Sequence, residues 1–458
     1  MKQYLTPQRI AEITGGEYVG DEAGRGVRIS GAAHDNREVK PGNLFICIRG
    51  ERSDGHTFAS SAFQAGAACC LAERVLDGAA GPYVLVGSTL EAIKQIGGYY
   101  RSLFDIPVIG ITGSVGKTTV KELTAAVLGA KFHVHKTHEN LNNELGVPLT
   151  LLSLHGNHGV AVIEMGVSDF GEMGRLAEMV RPDILVMTKI GYSHLEKFGD
   201  LAGVLRAKSE VFEYMKPGSV AVLNGGDELL REYDPGMRKI LFGLGEQCDF
   251  RAENIRAEGT DAVICDIAYD SGRFTVKIPA YGSHLAPMAA AAAAVGRLLG
   301  LSDDDISRGL LTYTPVGGRA NVRSTGYITL IDDCYNANPN SVKEALKSLS
   351  NLPGRRVAIL GDMFELGESS DEQHRETGAE AARCGIEPLI CCGDKAAMIH
   401  SGYIAAGGAG SRYYPSKAEL AEALPELIKK GDAVLVKASH GMHFEEILPL
   451  LLGLREEV

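Results

Sequence analysis

Residues 108–128 read VIGITGSVGKTTVKELTAAVL, and they constrain the fold more than any other stretch. An apolar strand-like run passes straight into Gly113-Ser114-Val115-Gly116-Lys117-Thr118-Thr119, and a helical pattern begins at once. Glycines let backbone N–H groups curl around phosphate oxygens, and the following helix turns its positive end to the same anion. Lys117 can then reach the β- and γ-phosphates, and the Thr118 hydroxyl can ligate Mg²⁺. The strict G-x-x-x-x-G-K-[ST] spacing is not met, because Ile111 holds the first glycine position, with Gly110 one residue early and Gly113 three residues before Gly116. An ordinary glycine-rich turn is the plainer alternative. The order strand, GKTT, helix favours ATP or GTP, although the loop alone does not name the reaction.

The alternation of apolar runs and helical patterns continues beyond the loop. VAVIEMG, a helix over 172–179, DILVMTKIG, a helix over 201–215 and SVAVLNGGD follow in turn. Such alternation builds βαβ units on a parallel sheet. Residues 249–280 break it, since short alternating runs such as Phe274-Thr-Val-Lys-Ile predict an antiparallel edge, and a helix over 285–299 follows. From Pro315 the alternation resumes through YITLIDD, RRVAILGD, PLICCGD and DAVLVKAS, with helices over 341–349, 373–382 and 417–429, which predicts a second doubly wound unit. Before residue 86, the short runs VRISGAAHD, NLFICIRG, ACCLAE and YVLVG accompany one helix-like run over 59–66, and a helix over 90–103 leads into the loop strand. The expected fold is α/β in three domains: a small mixed α/β N-terminal domain over 1–86, a central P-loop ATPase-like parallel sheet over 87–314 and a Rossmann-like C-terminal domain over 315–458.

Composition narrows the partners. Net charge is −12 without a long Lys/Arg run, which argues against nucleic acid and anionic membrane. No uncharged apolar run reaches the ~18 residues of a spanning helix. MKQYLTPQRIAEITGG lacks the apolar core of a signal peptide. The nine cysteines form no CxxC pair, and the neighbours Cys69-Cys70 and Cys391-Cys392 suit neither a disulfide framework nor a zinc site. Cysteines inside apolar runs such as LFICI and PLICC read as small core residues of a protein in a reducing cytoplasm.

From the loop onward the chain resembles the Mur ligases, over almost its full length. Their T-G-x-x-G-K-T-T form stands at 112–119, shifted glycine included. THENLNNELGVP at 137–148 resembles the family's Asn-rich loop, which implies that Asn140 and Asn143 hold polar groups of the nucleotide and substrate; alone, the segment reads as a turn and helix cap. Glu164, in IEMG at the end of an apolar strand, matches a Mg²⁺ ligand of the family; without the motif it is an exposed strand-end glutamate. TKIGYSHLEKFG at 188–199 resembles the H-L-E-x-F-G element and gives His194 a second-metal role, where a lone histidine is more often structural. Lys189 replaces the family's usual Asn and would add positive charge beside the phosphates. Lys208, in AKSE, matches a lysine that the family carbamylates into a metal-bridging carboxylate; otherwise it reads as a solvated surface lysine.

Two longer elements resemble one branch of the family, which adds D-alanyl-D-alanine to UDP-N-acetylmuramoyl-tripeptide. DCYNANP at 333–339 matches D-x-Y-N-A-N-P, and GDMFELGE at 361–368, followed by His374, matches G-D-M-x-E-L-G-E. The resemblance implies that Asp333, Asn336 and the hinge-proximal Arg319 face ATP when the domains close; a strand-end turn and a structural arginine are the plainer alternatives. VKASH at 436–440 resembles a late K-G-S element, with Ala438 for Gly. In the first segment, Asp35-Asn36-Arg37, Lys40-Pro41-Gly42 and Asp54-Gly55-His56 follow the family's N-terminal pattern and imply contacts to a UDP-sugar, with Asn36 in place of Ser or Thr. GSHLAPMA at 282–289 aligns with G-x-H-N-x-x-N-A; Leu285 and Met288 replace both asparagines and imply a more apolar adenine environment.

The implied chemistry is ATP-dependent joining of a carboxylate to an amine through an acyl phosphate. Gly113 to Thr119 would bind ATP. Lys117, Glu164, His194 and Lys208 would be catalytic, with Mg²⁺ on Thr118, Glu164, His194 and carbamylated Lys208. The setting is expected to be cytoplasmic, and the protein monomeric by default. Competing readings are another ligase of the folylpolyglutamate or diamino-acid-adding type, a non-catalytic nucleotide-binding relative, and a P-loop GTPase. The last lacks the guanine-reading N-K-x-D element after the loop.

Overall fold

A computed structural model describes residues 4–50 and 53–455, arranged around three β-sheets. The largest sheet has nine strands, and the phosphate-loop strand Val108–Thr112 lies inside it. Val108–Thr112 pairs in parallel with Val160–Glu164 on one side and Ile184–Met187 on the other. The three strands therefore end along one rim, the side on which open α/β sheets bind ligands. Their side chains alternate between two cores. Ile109, Ile111 and Val162 face the helices Lys117–Gly129 and Leu285–Leu298, while Val108, Ala161 and Ile163 face Glu172–Val180 and Leu201–Ser209. Burial on both faces explains why these strands read as continuous apolar runs. The expected antiparallel edge is present as Phe250–Glu258, Ala262–Tyr269 and Gly272–Ile278.

The N-terminal sheet has five strands within residues 17–85. Beside the expected helix, here Ala59–Gln64, stands an unexpected one, Pro7–Thr14. Its signals are nonetheless local: Thr6 caps the N–H of Arg9, Pro7 opens the first turn, and Gly15 closes the helix in the left-handed region at φ 64°. The helix Thr89–Ser102 buries Ala92, Ile93 and Ile96 in this core and lays Gly97 against Pro148, so it joins the first sheet to the central layers.

The C-terminal sheet has six strands, with Thr329–Asp332, Ala433–Lys437 and Arg356–Gly361 adjacent and parallel. The helix Ala396–Ala405 lacked a helical stripe in the sequence because small and apolar residues surround it. It packs on Ser370–Arg383 at very short range, where a Cβ on Gly378 would stand 1.9 Å from the Ile399 carbonyl oxygen. All nine cysteines are free, and all but Cys384 are buried, as the apolar runs predict. No described helix is long and apolar enough to cross a membrane.

Candidate active site

The phosphate loop is fixed to the neighbouring strand end by a dense set of bonds. The Ser114 N–H donates to the Lys189 carbonyl (2.7 Å), Ser114 Oγ exchanges bonds with the Gly191 backbone, and Thr188 Oγ1 donates to the Val115 carbonyl (2.6 Å). Gly113, at φ 140°, has no alternative: a Cβ there would lie 2.1 Å from Thr188 Oγ1. Lys189 contributes to this scaffold through its carbonyl, and its side chain lines neither site cavity, so the charge expected beside the phosphates is not placed there. The helix Lys117–Gly129 starts without a side-chain cap, which leaves its first N–H groups for an anion. Lys117 Nζ rests on the Gly113 carbonyl (2.8 Å). Burial lowers its pKa, with Glu164 opposing and Arg319 adding to the shift.

Glu164 is not the exposed strand end of the plain sequence reading; it is 1% exposed. Thr118 Oγ1 donates to it at 3.0 Å and Asn142 Nδ2 at 2.8 Å, while Lys121 Nζ stands 3.7 Å away and donates to the Thr137 carbonyl. Asn142 lines both cavities beside the loop, and Asn143 lines one of them. Asn140 is exposed, and Asn143 Oδ1 accepts the N–H groups of Leu145 and Gly146 to open the helix Gly146–Leu152. The register of an Asn-rich turn cannot be read from composition, because any of the three can cap. Thr118 Oγ1 and the Glu164 carboxylate form a compact set of hard oxygen donors, the kind Mg²⁺ takes. Among the described residues no cluster of three His, Cys, Asp or Glu could hold a metal, so a cation here would complete its shell with phosphate oxygens and water.

Two cavities meet at the loop. The first, about 290 Å³, is lined by residues 114–119 and Glu164 from the central layers and by Arg319, Asp333, Tyr335, Asn336 and Lys437 from the C-terminal layers. The second, about 420 Å³, holds His194 and Lys208; Ser114, Lys117 and Asn142 line both. Lys208 is buried rather than solvated. Its pKa is pushed down to about 7, first by burial and then by Lys117, with Glu172 opposing. His194 Nδ1 lies 2.7 Å from Glu365 Oε2 of the C-terminal layers.

The C-terminal side is equally built. The Arg319 guanidinium stacks 4.0 Å over the Tyr335 ring, and Lys437 Nζ pairs with Asp333 Oδ2 at 2.7 Å and donates to the Asn336 carbonyl at 2.9 Å. Met288 lines the first cavity near Gly116, whereas Leu285 is buried in the core. The sequence signal for Tyr335 and Lys437 lay in DCYNANP and VKASH, and that for Glu365 in GDMFELGE; the bonds of Lys121 had none.

The N-terminal candidates lie apart from both cavities. Asp35 accepts the Arg37 N–H and pairs with its guanidinium, and Asn36 Nδ2 donates to Ser61 Oγ. His56 is buried: Nδ1 meets Asp54 Oδ1 at 2.6 Å and Nε2 accepts the Glu73 N–H at 2.8 Å, so both ring nitrogens serve the fold. Gly55 packs where a Cβ would meet the Ile48 backbone at 2.7 Å. Because Ser61 lies on the helix Ala59–Gln64, directly after this turn, the two segments lie side by side.

Known proteins resemble this chain in sequence and fold. Family profiles for the Mur ligase family catalytic domain, the Mur ligase middle domain and the Mur ligase glutamate ligase domain match residues 28–95, 111–296 and 318–440. The UDP-N-acetylmuramoyl-tripeptide–D-alanyl-D-alanine ligase of Bacillus subtilis (strain 168) is 35% identical over 455 residues, 98% of each chain. The chain belongs to the Mur ligase family. The enzyme of the same name from Escherichia coli (strain K12) is 34% identical, again over 98% of each chain. A crystal structure of MurF from Acinetobacter baumannii superposes with a TM-score of 0.89 at 30% identity, over 98% of this chain and 99% of that one. MurF from Thermotoga maritima in complex with ADP gives 0.81 at 30% identity, over 92% and 97%. The α/β fold, the family and its ATP-dependent ligase chemistry, expected from the sequence, stand on these matches.

Proposed function

We propose that this Mur ligase adds D-alanyl-D-alanine to UDP-N-acetylmuramoyl-tripeptide, with ATP converted to ADP and phosphate. One observation carries the reading: the phosphate loop separates a cavity shared with the C-terminal layers from a second cavity containing His194 and Lys208, and Lys117 lines both. ATP in the first cavity would present its γ-phosphate at Lys117. The tripeptide carboxylate, entering from the second, would attack that phosphorus; ADP leaves and an acyl phosphate forms. The dipeptide amine then attacks the acyl carbon, loses a proton and expels phosphate. Such transfer depends on positioning and on neutralising charge. Lys117 and the first N–H groups of its helix supply charge, Thr118 and Glu164 would hold Mg²⁺, and Arg319 with the Lys437–Asp333 pair covers the nucleotide from the C-terminal side. Bound Mg²⁺ would neutralise phosphate oxygens as charge builds.

Segments 1–86, 87–314 and 315–458 would then serve the UDP-sugar, ATP and the dipeptide. Asn36 and Arg37 are the N-terminal side chains we assign to the sugar nucleotide, with Asp35, Asp54, Gly55 and His56 shaping the turns that carry them. The test is phosphate release by purified protein with ATP and Mg²⁺. Release that requires both UDP-N-acetylmuramoyl-tripeptide and D-alanyl-D-alanine, with the joined product seen by mass spectrometry, is expected. No release with either the diaminopimelate or the lysine form of the tripeptide would overturn the proposal.

A further inference from the structure

We propose that Glu365 is a positioning residue for cation binding: the C-terminal layers set its carboxylate against His194 and so orient the imidazole towards a second cation. This rests on the ligase reading above and extends it to a residue that reading leaves without a role. His194 Nδ1 lies 2.7 Å from Glu365 Oε2, and the Leu195 N–H donates to the Glu365 carbonyl at 3.2 Å. One residue of the C-terminal layers thus grips His194 by its ring and its neighbour by the backbone. Gly367 brings the two surfaces close, since a Cβ there would lie 3.5 Å from Glu196 Cγ.

Both partners occupy the left-handed region, His194 at φ 54° and Glu365 at φ 63°. Residues with a Cβ avoid that region unless their surroundings hold them in it, and such positions gather at functional sites. The turn carrying Glu365 is held from its own side: His374 Nε2 accepts the Met363 N–H at 2.9 Å, and Ser439 Oγ accepts the Phe364 N–H at 2.9 Å. The carboxylate is therefore presented by an anchored turn. Its chemical effect follows from imidazole tautomerism. A carboxylate at Nδ1 takes the N–H there and leaves the Nε2 lone pair free for a cation, and this is the usual outer partner of a metal-bound histidine. Lys208 lines the same cavity as His194.

The experiment counts Mn²⁺ bound to the full-length protein by the loss of its free-ion electron paramagnetic resonance signal, in the presence of a non-hydrolysable ATP analogue and UDP-N-acetylmuramoyl-tripeptide. The wild type should bind two ions. E365A should weaken the second by about 10- to 100-fold, the usual cost of losing such an outer partner. E365Q, which still accepts the Nδ1–H, should recover most of that loss. In an H194A background E365A should change nothing further, because residues acting through one contact do not add. Wild-type protein that binds no Mn²⁺ would count against the ligase reading itself. Two normal sites in wild type with an unchanged E365A, or an E365A loss that persists in H194A, would overturn the role given to Glu365.

Discussion

Thr118 Oγ1 donates to Glu164 Oε2 at 3.0 Å, which ties the first turn of the phosphate-loop helix to the end of the adjacent strand. Glu164 is buried, and its other oxygen is held by Asn142. Replacing it with Ala removes the proposed cation ligand and leaves the Thr118 hydroxyl without its acceptor. Phosphate release by E164A should fall at least ~100-fold, about 3 kcal/mol of barrier, while ADP still binds through the loop backbone. Retained turnover in a stopped phosphate assay would remove Glu164 from the mechanism.

Lys208 has its pKa pushed down to about 7. Only the unprotonated amine adds carbon dioxide, and that fraction grows as pH rises through 7. Protein depleted of carbon dioxide should regain activity on addition of bicarbonate, more completely at pH 8 than at pH 6. ¹³C-bicarbonate should give a carbamate resonance that K208R lacks. A wild-type spectrum without that resonance would leave Lys208 an unmodified amine.

The Asn-rich turn separates two otherwise similar side chains. Asn142 bonds to Glu164 and lines both cavities, whereas Asn140 is exposed. N142A frees one oxygen of a buried carboxylate, a loss of about 1–3 kcal/mol that corresponds to roughly 5- to 150-fold in turnover. N140A should stay within about twofold of wild type, well under 1 kcal/mol. Steady-state kinetics showing the reverse order would refute the placement.

His135 gives a pH dependence of stability away from the site. Its buried ring donates from Nε2 to the Thr150 carbonyl and faces His158, which stacks on His133 at 4.7 Å. Burial comes first in lowering its pKa to about 4, and the neighbouring His158, His138 and His155 add to the shift while the Thr150 carbonyl opposes it. The folded value lies below the unfolded one near 6.5, so the fold favours the neutral ring. The contribution is complete above about pH 6.5 and is lost as pH falls towards 4, up to about 3 kcal/mol. Urea midpoints should therefore drop more steeply between pH 7 and 4.5 in wild type than in H135Q. Parallel slopes would show that His135 does not carry the acid response.

Two of the helices that escaped the sequence did so for physical reasons. Pro7–Thr14 carried its caps in plain view but is short, and Ala396–Ala405 has no polar face to set a period. The central strands were legible because burial on both faces leaves little room for anything but apolar residues, whereas partly exposed edge strands such as Asn321–Ser324 and Ser411–Tyr414 gave no such run. Lys208 taken alone reads as a solvated surface lysine, and only packing reveals that it is buried, as Lys121 is.

The order of apolar runs and the glycine loop by themselves determined the α/β class and the phosphate loop, because periodicity and turn chemistry are local properties of the chain; the family came from the resemblance of longer motifs such as DCYNANP and GDMFELGE. Tertiary structure decided which side chains reach that loop. It set Asn142 on the Glu164 carboxylate, buried Lys208, committed both nitrogens of His56 to its own domain and set Glu365 against His194. Each of these depends on segments far apart in sequence meeting at distances of a few ångströms, and no local pattern encodes such a meeting.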